Sequence, residues 1–213
     1  MIMFKKIKVK KGFTLIEILI SMTVFMMFMG VVIQSYLGIV RSQQETNEYR
    51  VMYSEARHIF DRFSDEVRNG NIYYKEVGEG TNNPMTALTL VASDGSRAVK
   101  FFYDTDEKVL NFSETIKGID GAFRAVNSYQ LNTDRIKIKD FNIYVTPLKD
   151  PYKEENVADN SAQYQPKVTV FATFEKEFSG GKTLDLDLQT TISSRSYGPA
   201  FEQDALIFNE ANN

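Results

Sequence analysis

The 213 residues suffice for one ordinary domain plus an extra element, and 43% hydrophobic with 25% charged side chains is the composition of a folded chain. The absence of cysteine excludes disulfides, zinc–thiolate sites and thiol nucleophiles. The net charge of −3 hides an asymmetry: residues 1–12 carry five lysines and no acid, and the remainder sets 20 basic against 28 acidic residues, a balance of −8 that suits nucleic acid poorly.

Lys5, Lys6, Lys8, Lys10 and Lys11 stand directly before the one long apolar run. From Phe13 to Val40 the only charge is Glu17, and Ile18–Ile33 is apolar apart from Ser21 and Thr23. As a helix this stretch reaches about 42 Å, against the roughly 30 Å of a bilayer's hydrocarbon core. A buried core helix is rarely apolar on every side for so long, so the run is predicted to span a membrane. Its flanking lysines place the N-terminus in the cytoplasm. A secretory signal peptide is cut behind its apolar segment at a small-residue site. Here the chain continues as Arg41-Ser42-Gln43-Gln44-Glu45, with no such site, and the segment is expected to be retained.

Lys10-Lys11-Gly12-Phe13-Thr14-Leu15-Ile16-Glu17 followed by the apolar run closely resembles the processing site of type IV prepilins and type II secretion pseudopilins. The resemblance covers residues 8–40. It implies recognition of a basic leader that includes Lys10 and Lys11, cleavage between Gly12 and Phe13 by a prepilin peptidase, and N-methylation of Phe13. It also implies that Glu17 pairs with the N-terminal amine of a neighbouring subunit during assembly. A carboxylate at mid-membrane costs about 2.5–3.5 kcal/mol on insertion scales, less near the edge where Glu17 lies, and pairing would offset its burial. Implied partners are the peptidase, other pilin or pseudopilin subunits, an inner-membrane assembly platform and, before assembly, lipid. Two features of many major pilins are missing: the first proline is Pro84, so the apolar helix has no proline bend, and no cysteine loop can form. Gly30 and Gly38 are its weak points, each about 1 kcal/mol poorer than Ala in a helix.

The helix is predicted to continue. Tyr49, Met52, Ala56, Ile59, Phe60, Phe63 and Val67 recur at steps of three and four, with charged residues opposite, and Asn69-Gly70 is the stop signal. Beyond Gly70 the pattern turns to period two. Ala87–Ala92 and Ala98–Tyr103 flank Ser93-Asp94-Gly95-Ser96 as a hairpin, with Val99, Phe101 and Tyr103 on one face. Lys108–Phe112 follows a turn at Asp104–Asp106. Arg135–Val145 changes parity between Ile138 and Phe141, which predicts a bulge. Residues 147–166 read as a proline-bearing loop. Val168–Phe174 and Leu184–Ile192 alternate on either side of Ser179-Gly180-Gly181. The predicted class is α+β: a long N-terminal helix, transmembrane then amphipathic, packed on an antiparallel β-sheet head, pilin-like. The predicted organisation is a cleaved leader at 1–12, a membrane and filament-core helix at 13–40, its amphipathic continuation at 41–70, a head at 71–197 and a polar tail at 198–213. The layout is similar to minor pilins and J-type minor pseudopilins.

Sites for chemistry are sparse. His58, the only histidine, falls on the charged side of the helix and gives no basis for a Ser-His-Asp triad. Gly78, Gly80 and Gly95 read as turn residues, with no phosphate loop. Asp185 and Asp187 share a strand face opposite the leucines, and Lys137 and Lys139 form a similar pair; both read as solvated faces. Asp104, Asp106 and Glu107 are the best calcium candidates but lack a full ligand set. No enzyme activity, cofactor or metal is expected. The leading expectation is a minor pilin or pseudopilin of a pilus, secretion or competence filament. The alternative is a filament-tip binding module, an adhesin or DNA-uptake receptor, with protein or glycan suiting the acidic head better than DNA.

Overall fold

Side chains apolar all round to Val40 and at helical spacing beyond, with no proline to interrupt them, give the helix α1, Leu15–Asn69. The computed structural model describes residues 12–77, 84–152, 165–177, 181 and 183–195. The chain divides into two units, Met1–Glu48 and Tyr49–Asn213, and α1 contributes to both. Gly30 and Gly38 lie within unbroken helix, and nothing beyond the adjoining helix backbone comes within 4 Å of a Cβ placed at either.

In the first unit every side chain from Gly12 to Ile39 is exposed. The second unit holds the core. Met52, Ala56, Ile59, Phe60, Phe63 and Val67 of α1 are buried, as their spacing predicts, whereas Tyr49 is 42% exposed. The periodic pattern therefore reaches one turn further than the surface that covers it.

After α1 come β1 (Gly70–Ile72), the short α2 (Tyr74–Val77), β2 (Ala87–Ala92), β3 (Arg97–Asp104), β4 (Val109–Lys117) and β5 (Phe123–Gln130). The five strands form one antiparallel sheet in chain order. β6 (Lys137–Thr146), β7 (Lys167–Glu177) and β8 (Thr183–Ser193) form a second, also antiparallel and in chain order. The α+β expectation of a long helix followed by antiparallel sheets holds. Mutual hydrogen bonds between Met85 and Ile143 (2.9 Å each) tie the sheets together.

The predicted hairpins are present in register. Leu90 faces Val99 and Leu88 faces Phe101, with Gly95 at φ +66° in the turn. The Asp94 carboxylate accepts from the backbone N–H and hydroxyl of Ser96, and these bonds hold its pKa below the usual value. β6 bulges between Ile138 and Asp140, as the parity change predicts. There the Tyr103 hydroxyl lies 2.7 and 2.9 Å from the carbonyls of Ile138 and Lys139, so the irregular backbone keeps a partner.

Phe63 organises the core. Its ring meets Phe101 of the first sheet at 4.8 Å and Phe141 of the second at 6.1 Å, both edge to face. At the end of α1, a Cβ on Gly70 would lie 2.9 Å from the Glu66 carbonyl, so the glycine answers a close approach. The two residues after β8 satisfy backbone groups there: the N–H of Arg195 donates to the Arg68 carbonyl and the Ser194 hydroxyl to that of Gly70, both at 3.0 Å. Gly78, Gly80, Ser179, Gly180, residues 153–164 of the predicted loop and the tail from 196 lie outside the described residues.

Candidate functional site

The features with specific chemistry gather at the start of α1. Gly12, Phe13 and Thr14 precede the helix in non-helical backbone, and Phe13 is 77% exposed. The N–H of Glu17 donates to the Thr14 carbonyl at 3.1 Å and lies 3.4 Å from the Thr14 hydroxyl oxygen; the N–H of Ile18 donates to the same carbonyl at 3.2 Å. Thr14 thus occupies the N-cap, where a short hydroxyl serves donors that the helix cannot. Glu17 follows three residues on, in the first turn, where the helix dipole favours an acid. Thr14 was not singled out from the sequence, although Thr-x-x-Glu ahead of an apolar run is a capping signature.

Gly12 has open space around it: no atom lies within 4 Å of a Cβ placed there. The chain's own packing therefore makes no demand for glycine at position 12, and any such demand must come from whatever reads this segment. Lys10 and Lys11 lie outside the described residues.

Behind the cap, α1 is long and apolar enough to cross a membrane. The Ser and Thr hydroxyls of its apolar stretch are turned back onto the helix. Ser21 donates to the Glu17 carbonyl (2.8 Å), Thr23 to that of Ile20 (2.8 Å) and Ser35 to that of Val31 (2.9 Å). Such bonds let polar side chains sit in hydrocarbon without naked donors. A helix apolar on all sides and exposed from Leu15 to Ile39 suits lipid or other helices around it.

The remaining sequence candidates are spoken for. His58 is exposed. Asp104 accepts from the N–H groups of Asp106 and Glu107 (2.9 and 3.1 Å) and caps its own turn. Asp185 takes the Lys139 ammonium at 3.2 Å, which raises the lysine's pKa, and Asp187 accepts from the Thr173 hydroxyl at 2.8 Å. The depression beside Lys137 mixes Asp134, Glu175 and Glu177 with Arg135 and Lys176. Among the described residues no group of three or more His, Asp or Glu side chains is arranged to hold a metal.

The arrangement is a pilin-like α+β architecture whose capped apolar helix, long enough to cross a membrane, opens two residues behind a Gly–Phe pair. Residues 7–33 match the prokaryotic N-terminal methylation motif, which supports the type IV pilin and pseudopilin family, a family of structural subunits. No curated protein and no solved structure matches the chain.

Proposed function

We propose that this chain is a minor pilin or pseudopilin, processed by a prepilin peptidase, that joins or primes a type IV pilus, type II secretion or competence filament. The observation that carries the reading is the methylation motif at 7–33, in register with an apolar helix from Leu15. In this reading residues 1–12 are the cleaved leader, recognised through Lys10 and Lys11. The peptidase hydrolyses the Gly12–Phe13 amide and Phe13 is then N-methylated. Residues 13–40 first span the inner membrane with the N-terminus cytoplasmic, and the head at 71–197 lies on the periplasmic or extracellular side. The helix later packs in the filament core, where Glu17 pairs with a neighbour's N-terminal amine. The lack of a proline bend and of cysteines favours a minor over a major subunit.

Gly12→Glu tests processing. Co-expressed with an active prepilin peptidase, the wild-type chain should shorten by twelve residues and begin with methyl-Phe13 by mass spectrometry, while the variant accumulates at full length. Identical masses for both would defeat the reading. Glu17→Ala tests assembly separately. The variant should be cleaved normally yet be depleted from sheared filaments; undiminished amounts there would remove Glu17 from assembly.

A further inference from the structure

We propose that Thr14 is a positioning residue for cleavage: its cap fixes the start of α1 so that the Gly12–Phe13 amide stays outside the helix and open to the peptidase. The inference rests on the processing reading above and assigns a role to a residue that never touches the reacting atoms. Hydrolysis adds water across the Gly12–Phe13 amide, leaving a carboxylate on Gly12 and an amine on Phe13. A protease needs that amide in backbone free of helical hydrogen bonds, and the accessibility of a bond to cleavage follows from the burial and bonding of its backbone.

The geometry supplies this. Helix begins at Leu15, two residues after the scissile bond, and Gly12 to Thr14 are non-helical and exposed. The side-chain oxygen and carbonyl of Thr14 both lie within reach of the Glu17 N–H. An N-cap residue takes non-helical backbone angles to make such contacts, so the hydroxyl favours a helix that starts after it. Without the hydroxyl, the obstacles to another turn are weak. Phe13 is an acceptable helix former, Val9, Lys10 and Lys11 are no helix breakers, and Gly12 is the one poor former nearby. Near lipid an uncapped N–H costs more than in water, which strengthens the drive to extend the helix and satisfy it. Extension by one turn would draw the scissile amide into helical hydrogen bonding.

The test uses the full chain in lipid–detergent micelles with purified prepilin peptidase. Cleavage is timed for wild type, Thr14→Ser and Thr14→Ala, and the Cα chemical shift of Phe13 is read by NMR in each uncut chain. Thr14→Ser should match wild type in both. Thr14→Ala should be cut about three- to tenfold more slowly, the range expected from losing one cap, and its Phe13 shift should move towards helical values. Cleavage of Thr14→Ala at the wild-type rate would overturn the proposal. So would slow cleavage with an unmoved Phe13 shift, which would mean that the peptidase reads the hydroxyl directly. If wild type itself is not cut, the processing reading fails, and the role of Thr14 falls with it.

Discussion

A carboxylate taken out of water needs charged partners, and Glu66 has two. It is 8% exposed on the inner face of α1 and accepts a bidentate pair from Arg97 (2.8 and 2.9 Å) and a bond from Arg62 (2.8 Å). The same Arg97 also binds Glu114 on β4, whose other oxygen takes the Asn127 amide at 2.8 Å. The Asn127 bond first and Arg97 second hold the Glu114 pKa below its usual value. These side chains bind α1 to three strands of the first sheet. Arg97→Ala leaves Glu66 with Arg62 alone and should cost about 1.5–3 kcal/mol, the scale of hydrogen bonds to charged groups. Arg57 and Asp61 make the contrast: both are more than 60% exposed, and Arg57→Ala should cost no more than about 1 kcal/mol. Urea unfolding of the two variants beside wild type checks both values, and equal losses would show that the buried network adds nothing special.

Elements were legible in the sequence where one face is buried and the other wet. β3, β7 and β8 alternate for that reason, and the β6 bulge shows because Ile138 and Phe141 must both face inward. β5 was missed because it gives no alternation to read: seven of its eight residues are exposed, so Phe-Arg-Ala-Val-Asn-Ser-Tyr-Gln carries no period. The sequence pattern of β4 ends at Phe112 yet the strand runs to Lys117, because the next inward position is held by a charged residue, Glu114, that binds Arg97. At the candidate site Gly12, Phe13 and Glu17 stand out through a motif, whereas the cap at Thr14 shows in the sequence only as Thr-x-x-Glu and becomes a cap once the helix start is fixed. The packing of Phe63 between two sheets was equally hidden, since periodicity marks a core face without naming what it meets. Phe63→Ala should therefore cost about 3–5 kcal/mol, the range for emptying a buried aromatic site. Phe60→Ala should cost less, because Phe60 is 9% exposed and the ring it meets, that of Phe174, is 6.2 Å away. Paired denaturation midpoints decide the order, and a larger loss at Phe60 would reverse it.

At the scale of the whole chain, the two units make opposite demands on solvent. Every buried apolar residue of the described chain lies at Met52 or beyond, and none lies between Phe13 and Ile39. Removing residues 1–40 therefore takes away the lipid-seeking surface without opening the core. The fragment 41–213 keeps 20 basic and 27 acidic residues, and net charge of that size favours solubility. It also keeps both sheets, the Phe63 contacts and the Glu66 network, all of which lie within Tyr49–Asn213. The fragment should accordingly be recovered without detergent and unfold in one cooperative transition, while the full chain stays with the membrane through carbonate extraction. Circular dichroism against urea and a sedimentation assay read the two halves of this expectation. A fragment that needs detergent, or melts without cooperativity, would overturn the expectation.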